Sequence, residues 1–184
     1  YGTLTGGQFT NNNNNALCST LVTYTGGKPG TAMSPTVVLD LKNVGSLNGT
    51  LGITTTCASA NAAGALASGA GNLCDKLAIR IVECTAYTTG NTSCTTPSGT
   101  HCVYSSSGLN TGGACAALGA PGGAATAGTM TNLASLAAAS TVESLNTGVE
   151  TYYEIDMMVI DTGAGADNDV QGKTATFAFT WTLS

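Results

Sequence analysis

The chain has 184 residues, enough for one domain with a buried core, and only 8% of them are charged. Ten acidic residues against five Lys and Arg give a formal net charge of -5 at pH 7. This argues against nucleic acid and anionic membrane surfaces as partners, because both bind basic patches. No apolar run approaches the roughly 20 residues of a membrane-spanning helix.

The N-terminal residues predict a short strand followed by a linker. The first ten residues, YGTLTGGQFT, place the large side chains of Tyr1, Leu4 and Phe9 among Thr and Gly. Five consecutive asparagines follow, and a polar tract of this kind is typical of a linker or loop. We therefore expect residues 1–15 to be a strand with its linker and residues 16–184 to be the main domain. Because the chain begins without Met and without a charged and apolar leader, we expect a mature product from which any export signal has been removed.

Four segments of the main domain have the composition and spacing of strands. Residues 16–24 end at a turn rich in Gly and Pro, residues 37–42 alternate apolar and polar side chains, and residues 51–56 resume that alternation. Residues 77–87 give the clearest strand signal in this part of the chain. The stretch at 58–73, nearly all Ala, Gly, Ser and Asn, allows either a short helix or an ordered loop.

The next segment predicts a long loop and then a short helix. Residues 88–127 contain few side chains to bury, and a loop of this length in a compact domain is expected to be functional or cross-linked. Apolar residues then recur at helical spacing, which predicts a helix over residues 132–139 with Thr131 or Asn132 as its cap.

The C-terminal residues 151–184 contain two runs rich in β-branched and aromatic side chains around a loop of Gly, Ala, Asp and Asn. This pattern is typical of two paired antiparallel strands. The first run, at 153–160, is apolar on both faces toward its end, so we expect an inner strand. In the second run, alternate residues form one apolar face suited to a core: Ala175, Phe177, Phe179 and Trp181.

Strands separated by turns, with almost no helix, predict an all-β fold. We expect an antiparallel β-sandwich or jelly roll with one short helix and a disulfide-linked, loop-rich insertion. A parallel α/β fold would need repeated crossover helices, which the sequence pattern does not indicate.

The seven cysteines indicate disulfides and an oxidising, extracellular compartment, because the chain has one histidine and none of the paired spacing typical of zinc sites. Cys57 and Cys74 flank one small-residue segment and are expected to form one bridge, which leaves Cys18 as the odd cysteine. Two more bridges are expected in a region rich in Gly, Ser and Thr, with the pairing left open by the sequence: Cys84, Cys94, Cys102 and Cys115.

Two groups of residues raise the question of a metal site or of catalysis. A calcium site would suit the acidic cluster of loop 161–169, but the cluster lacks EF-hand spacing, and an acidic turn is the preferred interpretation. Its members are Asp161, Asp167, Asn168 and Asp169. His101 and Cys102 are adjacent, but neighbouring side chains on an extended chain point apart and no orienting third group is evident. We expect no catalytic, cofactor-binding or metal-binding residues, and no enzymatic activity.

Two triplets satisfy the rule for N-linked glycosylation. They begin at Asn48 and Asn91, and both fall in expected turns or loops. In a chain this rich in Asn and Thr such triplets also arise by chance, so the sequence leaves their occupancy open.

Three segments together carry a family pattern. Residues 29–51 contain a Pro-Gly turn, a hydrophobic strand and then LKNVGSLNGTL, and residues 131–149 contain a short helical segment that leads to a Gly. Residues 152–160 precede ADNDVQGKTATFAFTW, whose matching residues are Asn168, Gln171, Gly172 and Lys173. In these segments the chain resembles the TasA/camelysin family of secreted fibre-forming proteins. Residues 58–129 are not covered, and the many cysteines and low charge depart from the family's pattern.

The resemblance implies a secreted β-sandwich subunit that polymerises with copies of itself into a cell-surface filament by donor-strand complementation. The N-terminal segment of one copy, with Tyr1, Leu4 and Phe9, would complete the sheet of the next copy. The candidates for the acceptor groove are aromatic: Phe177, Phe179 and Trp181. The alternative for the N-terminal segment is a frayed end or an edge strand of its own domain. The family name is also associated with metal-dependent proteolysis, but the chain has no HExxH motif and only one histidine.

A second interpretation is a monomeric secreted binding module. In this case the cross-linked loop from Cys84 to Cys115 would hold a glycan or another surface partner, with Tyr87, Tyr104 and His101 as contact residues.

Overall fold

The computed structural model describes most of the chain, with the backbone alone described up to residue 37. The described residues are 3–5, 8–10, 17–25, 37–61, 63, 70–88, 93–105, 108–109, 113–116, 118, 128–136, 140–161 and 169–184.

Within these residues there are eleven strands and two short helices. The strands are β1 (Thr3–Thr5), β2 (Gln8–Thr10), β3 (Leu17–Thr25), β4 (Val37–Lys42), β5 (Gly49–Asn61), β6 (Leu77–Ala86), β7 (Thr96–Ser105), β8 (Gly108–Leu109), β9 (Ser140–Leu145), β10 (Glu150–Val159) and β11 (Lys173–Leu183). The helices are α1 (Leu73–Lys76) and α2 (Met130–Ala134).

The strands form two sheets. The larger sheet has the order β1-β2-β4-β10-β6-β7-β8, and the smaller has the order β3-β11-β5-β9. All neighbouring strands are antiparallel except β2 and β4, which run parallel. The expected all-β, mainly antiparallel and sandwich-like fold is confirmed.

The core lies between the two sheets, and the alternation of side chains explains it. Ala175, Phe177, Phe179 and Trp181 of β11 are buried on one face, as the period of two predicts. They pack against apolar residues of the larger sheet, including Ile79, Ile81, Ile155 and Met157. Burial of these large side chains supplies the main driving force for closing the sandwich.

The expected pairing of the two C-terminal strands is wrong. β10 lies between β4 and β6 in the larger sheet, whereas β11 lies between β3 and β5 in the smaller one. Each is an inner strand, as expected for residues 153–160. Because both edges of each strand pair with other strands, the two meet through their faces, where the rings of Tyr153 and Trp181 stack.

The segment expected to be a long loop contains a ten-residue strand, β7, and the shorter β8. The sequence TPSGTHCVYS of β7 has little apolar periodicity, but the strand pairs with β6 despite several register shifts. β9, with the sequence STVESL, was also not predicted. It lies in a segment that was interpreted as a helix followed by a Gly turn.

Two helices are present where one was expected. α2 begins at Met130 with Thr129 as N-cap, and the Thr129 side chain accepts a hydrogen bond from the backbone N–H of Asn132. It is therefore placed a few residues earlier than the predicted 132–139. α1 lies at the end of the small-residue stretch, and Asn72 caps it by accepting from the N–H of Cys74.

Three disulfides are present among the described side chains. Cys57 is bonded to Cys74, as expected, and joins β5 to α1. The four cysteines of the insertion form two bridges, Cys84–Cys94 and Cys102–Cys115. These bridges close short loops and tie β7 to its surroundings, which offsets the low apolar content of that region.

Candidate functional site

The N-terminal hairpin is held at one edge of the larger sheet. β1 and β2 pair antiparallel, with Leu4 opposite Phe9. β2 then pairs parallel with β4 at only two positions, Gln8 with Val38 and Phe9 with Leu39. On its other side, β4 pairs with β10 at six positions. The hairpin is therefore joined to the rest of the sheet by fewer paired positions than join β4 to β10.

The candidate acceptor residues do not line an open groove. Phe177, Phe179 and Trp181 are each no more than 2% exposed, and they face the larger sheet of the same chain. The expectation that they form an uncovered aromatic groove is wrong, because the opposite sheet fills the space above them. Tyr1 lies outside the described residues, and Leu4 and Phe9 are described through their backbone alone.

The residues proposed for a binding module do not share one surface. Tyr104 is 2% exposed and cannot contact an outside partner. Tyr87 stacks on Tyr152, with ring centroids 4.6 Å apart. His101 is partly buried beside Glu83, and its neighbour Cys102 is bonded to Cys115 and is therefore not a free nucleophile.

The acidic loop and the glycosylation triplets are only partly described. Asp167 and Asn168 lie outside the described residues, as does Asn91. The backbone carbonyl of Asp169 accepts a hydrogen bond from the N–H of Gly71. Asn48 is exposed, and its side-chain oxygen accepts from the N–H of Thr147.

A cluster of three ionisable side chains lies at the rim of the space between the sheets. Glu83 comes from β6, His101 from β7 and Glu143 from β9, so the cluster joins the larger sheet to an edge strand of the smaller one. The Nδ1 atom of His101 lies 2.5 Å from Oε2 of Glu83 and 3.8 Å from Oε2 of Glu143. The hydroxyl of Tyr153 donates to the other oxygen, Oε1, of Glu143.

The electrostatics of this cluster are those of two carboxylates with one weak base. Burial raises the pKa of Glu143, the charge of Glu83 raises it further, and His101 opposes the change. The three side chains are 18–27% exposed, so water reaches them only in part. We call Glu83, His101 and Glu143 the rim cluster.

The sequence contained a signal for one member of the rim cluster. In β6, Leu77, Ile79 and Ile81 alternate toward the core, and Glu83 continues the same phase. A carboxylate at an inward position requires a partner. The other two members were not recognisable as its partners, because His101 lies in an unpredicted strand and Glu143 in the other sheet.

A second polar network lies on the outer face of the larger sheet. The guanidinium of Arg80 binds the Asp156 carboxylate, with Nε 2.9 Å from Oδ2, and its Nη2 lies 3.7 Å from Oε1 of Glu154. The other oxygen of Glu154 accepts from the backbone N–H of Cys94. Burial raises the pKa of Glu154, whereas this N–H and Arg80 oppose the change. The network therefore fastens the Cys84–Cys94 loop to the sheet.

A carboxylate pair occupies the same outer face near β4. Burial raises the pKa of Asp40 to about 6, and Glu150, through a hydrogen bond and its charge, adds to the effect against the influence of Lys42. Hydrogen bonds from Tyr152 and Asp40 lower the pKa of Glu150. Asp40 therefore keeps the shared proton more readily than Glu150 does.

Asn43 organises the turns at one end of the sandwich. Its side-chain amide donates to the carbonyls of Leu47 and Leu145, and its side-chain oxygen accepts from the N–H of Gly45. Asn43 is 1% exposed, so these bonds satisfy a buried polar group. Three exposed apolar residues lie on the neighbouring loops: Val44, Leu47 and Val149.

Comparison with known proteins gives no relative from which a role could be transferred. No family model matches the chain, and no curated protein or solved structure is significantly similar to it. Within the described part of the chain, no helix has the length and apolar character needed to cross a membrane.

Proposed function

We propose that the protein is a structural subunit of an extracellular filament and that it polymerises by exchanging its N-terminal segment between copies. The observation that carries the proposal is the short contact of the N-terminal hairpin with β4, two paired positions against six on the other side of the same strand. Five asparagines at 11–15 separate this hairpin from β3 in sequence, which suits a tether.

The acceptor in this proposal is the outer edge of β4. A strand edge presents unpaired N–H and C=O groups, and native proteins cover such edges. In an isolated chain the hairpin of that chain covers β4; in a filament the N-terminal segment of a neighbour would take its place. The exchange conserves the backbone hydrogen bonds, so its cost in free energy is small, as in other cases of domain swapping.

Other features support an extracellular fibre protein. Three disulfides are compatible with an oxidising compartment. Low charge reduces repulsion between packed copies. The proposal also builds on the resemblance of three segments to the TasA/camelysin family of secreted fibre-forming proteins.

We also propose that the main domain is a jelly roll. Eight strands carry this assignment: β3, β4, β5, β6, β7, β9, β10 and β11. Going along the chain, successive strands alternate between the two sheets except at β6 and β7, which are neighbours in the larger sheet. Each sheet then holds four of the eight strands, as in the double Greek key of a jelly roll.

Deletion of residues 1–10 tests the filament proposal. The truncated protein should remain a monomer with near-native circular dichroism and should not form filaments visible by electron microscopy. Addition of a peptide of residues 1–15 should restore the covered edge without restoring polymer growth. Normal filaments from the truncated protein would exclude the exchange mechanism, and monomers from the full-length protein would favour the binding-module interpretation.

A photo-crosslinking experiment distinguishes exchange from pairing within one chain. Phe9 lies opposite Leu39 in the register of β2 and β4, so p-azidophenylalanine at position 9 should react with β4. In filaments mixed from unlabelled and ¹⁵N-labelled chains, exchange predicts crosslinked peptides of mixed isotope composition. The same amino acid at the buried position 177 is the control and should react within one chain. Crosslinks at position 9 confined to single chains would contradict the proposal.

A further inference from the structure

We propose that the rim cluster, Glu83, His101 and Glu143, is a binding site for one divalent transition-metal ion, with Zn²⁺ as the preferred ion, which cross-links the two sheets. Each residue offers one ligand atom, and the three atoms lie within 4.8 Å of one another. The site does not depend on the proposed filament function.

The donor set selects the class of ion. One imidazole nitrogen and two carboxylate oxygens suit Zn²⁺, whereas Ca²⁺ and Mg²⁺ prefer sites made of oxygen ligands alone. Without a thiolate, the site does not favour soft ions such as Cu⁺. Three protein ligands leave one position of a tetrahedral Zn²⁺ for water.

The distances require only a small rearrangement. Ligand atoms about 2.0–2.1 Å from a tetrahedral Zn²⁺ are roughly 3.3 Å from one another. The Nδ1 atom of His101 is 3.8 Å from Oε2 of Glu143, so this pair is close to the required separation. The same nitrogen is 2.5 Å from Oε2 of Glu83, so that carboxylate has to move by about 1 Å to admit the ion. Glu83 is the most exposed of the three side chains and has room for this movement.

The charges of the cluster and the hydrogen bond from Tyr153 favour the same assignment. Two partly buried carboxylates repel each other, and a single imidazole cannot neutralise both, whereas a divalent cation can. The Tyr153 hydroxyl donates a hydrogen bond to Oε1 of Glu143, whereas Oε2 is the oxygen that lies near His101. Hydrogen bonds of this kind orient metal ligands and strengthen binding.

The position of the site gives the ion a structural effect. Glu83 and His101 belong to neighbouring strands of the larger sheet, whereas Glu143 belongs to β9, an edge strand of the smaller sheet. An ion held by all three would fasten that edge strand to the opposite sheet. Since the ion binds the folded chain, it should raise the thermal midpoint of unfolding.

Zn²⁺ titration of the full-length protein tests the site. Cys18 should first be replaced, Cys18→Ser, because the other six cysteines form the three described disulfides and a thiol at position 18 would compete for zinc. His101 is the only histidine, so ¹⁵N NMR of the imidazole reports on this site alone. We expect one Zn²⁺ per chain by calorimetry, a change in the imidazole nitrogen resonances, and no such change with Ca²⁺.

Substitutions locate the ion. Glu143→Gln and His101→Gln should each reduce the Zn²⁺ affinity by about tenfold or more and abolish the zinc-dependent rise in the thermal midpoint. Asp75→Asn removes one charge at an exposed position of α1 and should retain the wild-type affinity. Circular dichroism establishes that each variant is folded. Two outcomes would overturn the site: zinc binding that leaves the imidazole resonances of the Cys18→Ser protein unchanged, or no zinc binding at all.

Discussion

The ring of Tyr153 in β10 stacks on the ring of Trp181 in β11, with centroids 5.1 Å apart and planes inclined by 22°. Both side chains are buried, and they belong to opposite sheets. The hydroxyl of Tyr153 also donates to Glu143 of β9. One tyrosine therefore connects the aromatic core to the rim cluster.

Substitution of Tyr153 should separate these two contributions. Tyr153→Phe keeps the stacked ring and removes the bond to Glu143, so it should lower the free energy of unfolding by about 1–2 kcal/mol. Tyr153→Ala also removes the ring and leaves a cavity, and should cost about 3–5 kcal/mol. Fluorescence of Trp181, the single tryptophan, follows unfolding in denaturant. Equal effects of the two substitutions would show that the ring contact contributes little.

Arg80 should be more important to stability than the exposed lysine of the same sheet. Arg80→Gln leaves Asp156 and Glu154 buried without their cation, so we expect a loss of about 3 kcal/mol. Lys42→Gln breaks an ion pair with Glu150 that is half-exposed and should cost less than about 1 kcal/mol. Chemical denaturation of both variants at low salt provides the measurement, and a reversed order would contradict the role given to the outer-face network.

Asn43 should stabilise the fold through its side-chain amide. Asn43→Ala leaves the carbonyls of Leu47 and Leu145 without their donor, which should cost about 2–3 kcal/mol. Asn48→Ala in the same turn removes one exposed hydrogen bond and is the matched control, with an expected loss below about 1 kcal/mol. Equal thermal midpoints of unfolding for the two variants would refute this assignment.

Asp40 should make the protein more stable in mild acid. Its pKa is raised from 3.8 to about 6 on folding, so the stabilising protonated form is fully present below about pH 4 and is lost as the pH rises through 6. Asp40→Asn mimics that form. The variant should match the wild type near pH 4 and exceed it by about 1 kcal/mol at pH 7, a value reduced for partial exposure. Unfolding free energies at both pH values provide the comparison, and a variant without advantage at pH 7 would exclude this linkage.

Residue periodicity predicted individual strands better than their partners. The alternation of Phe177, Phe179 and Trp181 correctly identified a core-facing strand, because alternation depends only on local geometry. Which sheet that strand joins depends on contacts with residues more than a hundred positions away, such as Ile53 opposite Trp181. The short connection to β10 therefore suggested a pairing that the fold does not use.

The rim cluster shows the same limit for a site. An inward-facing Glu83 was recognisable from the phase of β6, but its neighbours were not. His101 lies in β7, which has few apolar residues and is held by pairing and disulfides, and Glu143 is brought close only when the two sheets pack. A site built from three strands of two sheets has no signature in sequence spacing.

The central positions of β10 and β11 also determine when the domain can close during synthesis. In the described part of the chain these are the last two strands, yet each lies between two earlier strands of its sheet. Until they emerge, β4 and β6 have no common partner, and neither do β3 and β5. A nascent or exported chain would therefore remain an open, chaperone-accessible intermediate until its C-terminal residues arrive, whereas its three disulfides, which span 10 to 17 positions, can form earlier.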